Sequence, residues 1–174
     1  KRACRSKLWS ENYMIKDNMY MEQALAEAQK AFALGEVPIG AVLVDETGQI
    51  VARGHNMRET WHDATAHAEM VAIREACRQL GKWRLSGLTL YVTIEPCPMC
   101  AGALVMSRVD RVVYGSTDAK AGAVESLFNI VSHPGLYHQL AVAAGVLADD
   151  CAAIMKRFFA EGRQKRKKTR SNED

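Results

Sequence analysis

The sequence predicts a layered α/β domain, and three observations carry that prediction. Short runs rich in β-formers alternate along the chain with longer segments whose apolar residues recur at helical spacing. The chain has 174 residues, the size of one domain with a real core. No internal repeat and no linker interrupts it. Strands that alternate with helices are covered by them in layers.

The elements follow in order. Residues 19–34, "MYMEQALAEAQKAFAL", combine helical periodicity with strong helix formers, and Gly35 supplies the stop. "PIGAVLVD" reads as a buried strand, "ETG" as a turn, and "QIVARGHN" as a second strand. "TAHAEMVAIREACRQLG" is a helix with Thr65 as its expected N-cap and Gly81 as its end. "LTLYVTIE" alternates as a strand. "CPMCAGALVMS" is a short helix with Pro98 in its first turn, where Gly102 and Ala103 read as small residues for close packing. "DRVVYGS" is a further strand, residues 118–135 read as loop, and "HQLAVAAGV" as an edge strand. The last helix, "ADDCAAIMKRFFAEGRQKRKK", turns from apolar to basic.

Composition excludes several classes. Apolar residues make up 48% and charged residues 25%, the balance of a globular protein and not of a disordered one. No apolar run is long enough to span a bilayer. The first residues are basic but lack an apolar core, so they do not read as a secretory signal. Five cysteines, odd in number and widely spaced, do not form a disulfide framework and suit a reducing cytoplasm. Cys77 and Cys151 fall on apolar helical patterns and read as core, and Cys4 as idle. The net charge of +3 is unevenly spread: residues 1–7 and 163–174 each carry +4, which leaves −5 on residues 8–162. A run such as "RQKRKKTR" is either a solvated terminus or a phosphate contact.

Two short stretches carry chemistry. "TAHAEM" places His67 two residues before Glu69, and "EPCPMC" places Cys97 three residues before Cys100. Imidazole and thiolate are preferred zinc ligands, and a structural site would want four. Three are in evidence here, and a three-ligand zinc keeps a position for water, the catalytic arrangement. Residues two apart do not face the same way in mid-helix, so His67 and Glu69 share a site only if it lies off a helix N-terminus. Cys97 as an N-cap, with Cys100 in the first turn, puts both sulfurs where the helix dipole favours negative charge. Glu69 is then the carboxylate placed to accept a proton from water and return it. A redox C-x-x-C pair would leave His67 and Glu69 unexplained.

These residues, with "GEVPIGAV", "GHN", "SRVDRVVYGSTDAKAGA", "HPG" and "FF", resemble the cytidine/deoxycytidylate deaminase superfamily, and within it the adenosine deaminases that act on tRNA. The resemblance covers residues 21–163 and implies a three-layer α/β/α cytidine-deaminase-like fold with a mixed central sheet. It implies residues 1–18 as a basic N-terminal extension or remnant, 19–162 as a zinc-dependent deaminase domain, and 163–174 as a basic tail. It implies one zinc per chain on His67, Cys97 and Cys100, and Glu69 as the catalytic residue. Asn56 matches an asparagine that contacts the bound nucleoside, Ile39 and Ile94 match the walls of the base pocket, and Asp118 and Lys120 match a segment that touches the RNA loop. Arg157 and Arg163 match the end of the final helix, and Phe158–Phe159 read as half core and half stacking surface.

The implied reaction is hydrolytic deamination of adenosine to inosine at the wobble position of tRNA, by a cytoplasmic homodimer that binds the anticodon stem-loop and no membrane. Two departures stand out. Ala64 replaces a frequent proline, which predicts a looser loop, and Tyr137 replaces a frequent asparagine. The alternatives are a deaminase of a free base or nucleotide, of guanine or deoxycytidylate type, and a silent RNA-binding subunit with structural zinc. The basic tail and "DAKAGA" argue against the first, and Glu69 against the second.

Overall fold

The computed structural model describes residues 2–170, with side chains described for residues 14–168. Helix α1 (Arg2–Ala33) leads into the hairpin β1 (Gly40–Val44) and β2 (Ile50–His55). A single helical turn, α2 (Arg58–Trp61), precedes α3 (Ala68–Leu80). Strand β3 (Thr89–Ile94), α4 (Pro98–Ser107), β4 (Arg111–Ser116), β5 (Ala141–Ala144) and α5 (Ala148–Arg170) complete the chain.

The sheet has five strands in the order β2-β1-β3-β4-β5. β1 is antiparallel to β2 and β3, while β3, β4 and β5 are mutually parallel. The mixed three-layer architecture expected from the sequence is therefore present, with β5 at the edge. The period-2 alternation sorts the strands between two cores. Ala41, Leu43, Leu90, Val92, Val112 and Tyr114 face α3 and α4, where they meet Ala72, Ala76, Leu104 and Val105. Val42, Val44, Tyr91 and Val113 face the other way, toward Tyr20, Met21 and Ala24 of α1 and Cys151 of α5.

Strand direction decides what lies at each end of the sheet. The antiparallel pairing brings the end of β2 and the end of β3 to the start of β1, and the parallel pairing adds the end of β4. Ile39, Asn56, Ile94, Cys97 and Asp118 follow from that directly: all sit at one end.

Glycines set how closely helices lie on this sheet. A Cβ on Gly40 would stand 2.1 Å from the Ala24 carbonyl oxygen of α1. One on Gly54 would stand 2.3 Å from the Ala68 carbonyl oxygen and 2.6 Å from the Ala72 nitrogen of α3. The first turn of α3 thus rests on bare strand backbone. Gly102 has no such role, since nothing lies within 4 Å of where its Cβ would be.

Several boundaries differ from the sequence reading. The first helix starts at Arg2 and not near residue 19, because no Gly or Pro interrupts residues 2–33. The division at residue 18 therefore cuts a continuous helix. Asp17, on the wrong side of it, is buried: its carboxylate takes a bidentate pair of hydrogen bonds from Arg111, at 2.8 and 2.7 Å, and one from the Tyr91 hydroxyl at 2.8 Å. The division at residue 163 likewise falls inside α5, which runs to Arg170. Residues 171–174 of the expected tail, and the Cys4 side chain, lie outside what is described.

Helix α3 is capped by His67 and not Thr65. Asp63 Oδ1 accepts both the backbone N–H and the hydroxyl of Thr65, each at 2.7 Å, and Arg74 donates to Thr65 Oγ1 at 2.7 Å. Thr65 is thereby spent on a local turn, and the loop around Ala64 is tied down where a looser one was expected. Cys77 is only half-buried, whereas Cys151 is buried, its Sγ facing Gly115.

The seat of α3 on Gly54 generates a test. Gly54→Ala is expected to cost about 2 kcal/mol, the usual range for overpacking, and to lower zinc content, because Ala68 follows His67 directly. Thermal melts and elemental analysis of the purified variant check both outcomes.

Candidate metal centre and active site

Two helix N-termini meet at the shared end of the sheet. His67 is the N-cap of α3 and Cys97 the N-cap of α4, both with extended backbone and neither with a side-chain capping bond. Their side chains are thus available to another partner. Cys100 occupies the third position of α4, behind Pro98 at the first. Each sulfur lies 3.6 Å from His67 Nδ1. A tetrahedral ion with Zn–S near 2.3 Å and Zn–N near 2.1 Å would hold sulfur and nitrogen about 3.6 Å apart. The three donor atoms therefore fit zinc in kind and in spacing, and they form the only such cluster of His, Cys, Asp and Glu groups among the described residues.

Hydrogen bonds among the three groups, together with burial, shift each of them. The Cys100 thiol donates to Cys97, which with the His67 side chain holds the Cys97 thiol down at about 4 against burial. Cys100, holding the shared proton and buried, is pushed far above the usual thiol range. His67 is raised by its hydrogen bond with Cys97 and by the nearby Glu69 charge, against burial.

Glu69 sits beside this triangle in the first turn of α3, 4% exposed. Burial, reinforced by the Cys97 charge, pushes its carboxyl up to about 7, although its own backbone N–H, His67 and Cys100 pull it down. A carboxyl near 7 accepts and returns protons at neutral pH, which general acid–base catalysis requires.

The other expected residues are placed as follows. Asn56 follows β2 by one residue and is buried, and its backbone N–H bonds Ile39 O at 3.0 Å. Ile94 is buried at the end of β3, and Ile39 is half-buried against the α3–α4 core. Asp118 Oδ1 accepts the N–H groups of Lys120 and Ala121 at 2.9 and 3.1 Å, so it braces a turn, and the Lys120 side chain is exposed. Arg157 lies over the Phe32 ring and donates to Gln29, while Arg163 is exposed. Phe158 packs edge-on against Phe32, whereas Phe159 is exposed. Tyr137 lies beneath the Arg108 guanidinium, 3.8 Å from its ring centre.

Two carboxylates escaped the sequence reading. Glu36, 1% exposed, accepts from Asn56 Nδ2 at 3.1 Å and from the Thr60 N–H at 2.6 Å. That bond uses one of the two Nδ2 N–H groups and fixes which way the Asn56 amide is turned. Glu95 accepts hydrogen bonds from the backbone of Asp118, Val124, Glu125 and Ser126 and from the Ser126 hydroxyl. Burial acts to raise this carboxyl, but those donors outweigh it and hold the group at about 2. An acidic residue flanking a buried strand was the available signal for both.

A family model, the cytidine and deoxycytidylate deaminase zinc-binding region, matches residues 14–116. The chain belongs to this family of deaminases. Within it, the tRNA-specific adenosine deaminase of Bacillus subtilis (strain 168) is 53% identical over 159 residues, covering 91% of this chain and 98% of that one. A structure from work on A-to-I editing by tRNA:A34 deaminases at the wobble position superposes with a TM-score of 0.75 at 47% identity, covering 78% of this chain and 98% of that one. A guanine deaminase from Nitrosomonas europaea superposes at 0.70 with 26% identity, over 82% and 84% of the two chains.

Purified protein is expected to carry zinc that Cys100→Ala abolishes. Zinc affinity should rise as pH is raised through neutrality, since His67 and Cys100, both shifted upward, must shed protons before they ligate. Elemental analysis and metal titration at several pH values test this.

Proposed function

We propose that this chain converts adenosine to inosine at the wobble position of tRNA, as a zinc-dependent hydrolase with one zinc per chain. The observation that carries the chemistry is the Glu69 carboxyl, buried beside the His67–Cys97–Cys100 triangle. Similarity along nearly the whole length of tRNA-specific adenosine deaminases supports the substrate.

Deamination replaces the amine on adenine C6 by oxygen from water and releases ammonia. His67, Cys97 and Cys100 would hold the zinc, which when bound would supply the Lewis acidity that lowers the pKa of water. Glu69 accepts the first proton of water and gives it to the ring nitrogen, then takes the second from the hydroxyl now bound at C6 and passes it to the departing amine, which leaves as ammonia. Asn56, its amide turned by Glu36, offers Oδ1 to the nucleoside. Ile39 and Ile94 flank the base. The turn braced by Asp118 presents Lys120 to the RNA.

An anticodon loop exposes unstacked bases that can enter such a pocket, whereas a duplex hides them. The basic end of α5 adds phosphate contacts. The four described cysteines are unpaired thiols, which supports a reducing, cytoplasmic setting. No helix among the described residues is long and apolar enough to cross a membrane.

The test is reverse transcription of treated anticodon stem-loops, where inosine reads as guanosine. Turnover is expected on a stem-loop with wobble adenosine and little on free adenosine, cytidine or paired RNA. Turnover of free guanine or deoxycytidylate alone would move the chain to the small-molecule branch. Glu69→Gln should keep its zinc and lose ~100-fold or more in kcat, the usual share of a general acid–base.

The tail yields a separate expectation. Removing residues 163–174 should weaken RNA binding about equally for all sequences and flatten its salt dependence, since six Lys and Arg are lost. Binding titrations at several salt concentrations measure both.

A further inference from the structure

The carboxylate of Glu95 is the hub of the segment that follows β4. Oε1 accepts three consecutive backbone N–H groups, from Val124, Glu125 and Ser126, at 3.1, 2.8 and 2.9 Å. Oε2 accepts the Asp118 N–H at 3.0 Å and the Ser126 hydroxyl. Residues 118–126 therefore wrap around one buried anion, a concave arrangement of N–H groups of the kind that binds anions elsewhere. Gly122 closes the wrap: a Cβ there would stand 2.3 Å from Glu95 Oε2 and 2.6 Å from the Asp118 carbonyl oxygen. The Ala123 N–H adds a bond to Pro96 O at 2.8 Å.

The position of this hub matters as much as its bonds. Glu95 follows β3 by one residue and is pinned to β4 by its N–H to Ser116 O at 2.9 Å. Two residues later comes Cys97, the cap of α4. One residue thus joins the metal-binding turn to the turn that carries Asp118 and Lys120. The apolar core reaches this segment only through Ala123 and Val124, both fully buried, whereas Asp118 and Lys120 lie outside it.

We propose that Glu95 is a positioning residue for the RNA substrate. By holding residues 118–126 in fixed register with the metal ligands, it sets the distance between the RNA loop gripped there and the base at the metal. The inference rests on the function proposed above. It assigns Glu95 to substrate binding and not to the chemical step, because its oxygens are filled by protein donors and none is left for a reacting group.

The isosteric change Glu95→Gln removes the charge and turns an NH2 group toward the Asp118 N–H, so two donors face each other. With the zinc-loaded full-length protein and a wobble-adenosine stem-loop, KM is expected to rise ~10-fold, a modest misplacement by the standard of reactive geometry, with kcat within ~3-fold of the parent. Zinc content should be unchanged, and the amides of Val124, Glu125 and Ser126 should exchange with deuterium faster. Gly122→Ala, which crowds the hub without altering its charge, should raise KM in the same way and decides the matter should Glu95→Gln fail to fold. A variant that folds, keeps zinc and shows parental KM and amide exchange overturns the proposal. So does a loss confined to kcat, or a Gly122→Ala protein with parental KM. Failure of the parent protein to deaminate the stem-loop would instead strike the proposed function itself.

Discussion

The structure depends on one constraint: two helix N-termini must be held against the same end of one sheet. An α-helix begins with backbone N–H groups that have no partner within it, and with the positive end of its dipole. His67 and Cys97 take the capping positions but make no side-chain capping bond. Their side chains are left to face each other across a gap of 3.6 Å. That gap exists because α3 lies on the bare backbone of Gly54 and because β3 delivers α4 beside it. The opposite face of the sheet has a different task. There Asp17 ties α1 to Tyr91 and Arg111, and Phe32, Phe158 and Arg157 join α1 to α5. The layer behind the sheet gives rigidity, and the layer in front gives chemistry.

Glu69 and Glu95 show how far environment decides what a carboxyl does. Both are buried and both belong to the same end of the sheet. Burial penalises the charge of each. Glu95 gains five hydrogen bonds from protein donors and stays an anion near 2, which makes it a fixed anchor. Glu69 gains little to offset burial beside the Cys97 charge, and is raised to about 7. Hydrogen bonding lowers the first below the usual carboxylate range, and burial raises the second above it.

Glu36 applies the same logic to a neutral side chain. An asparagine amide can present either a donor or an acceptor. The Glu36 carboxylate accepts one N–H of the Asn56 NH2 group, which fixes the amide in one of its two orientations. Thr60 donates to the same carboxylate, so the short helix α2 is secured by the interaction that orients Asn56.

The metal site was legible in the sequence because its information is local. His67 and Glu69 are two apart, which only a helix start reconciles with one site, and Cys97 and Cys100 are three apart, a spacing that shares a helix face. The strands were legible too, since a period of two and a buried run survive in composition alone. Thr65 misled as a cap because a hydroxyl at a helix start looks the same whether it bonds the helix or, as here, the Asp63 turn. The first helix looked shorter because apolar periodicity ends before the helix does. Glu36 and Glu95 could not be read as they are. Their partners lie 20 to 31 residues away, and most are backbone N–H groups that every residue but proline possesses. The sequence by itself determined the His67–Cys97–Cys100 cluster, the nearness of Glu69 to it and the layered architecture, which depend on residue type and short spacing. The tertiary structure alone decided which buried carboxylates are surrounded by hydrogen-bond donors and which one is not, because the energy of a buried charge is set by the donors that the fold gathers around it.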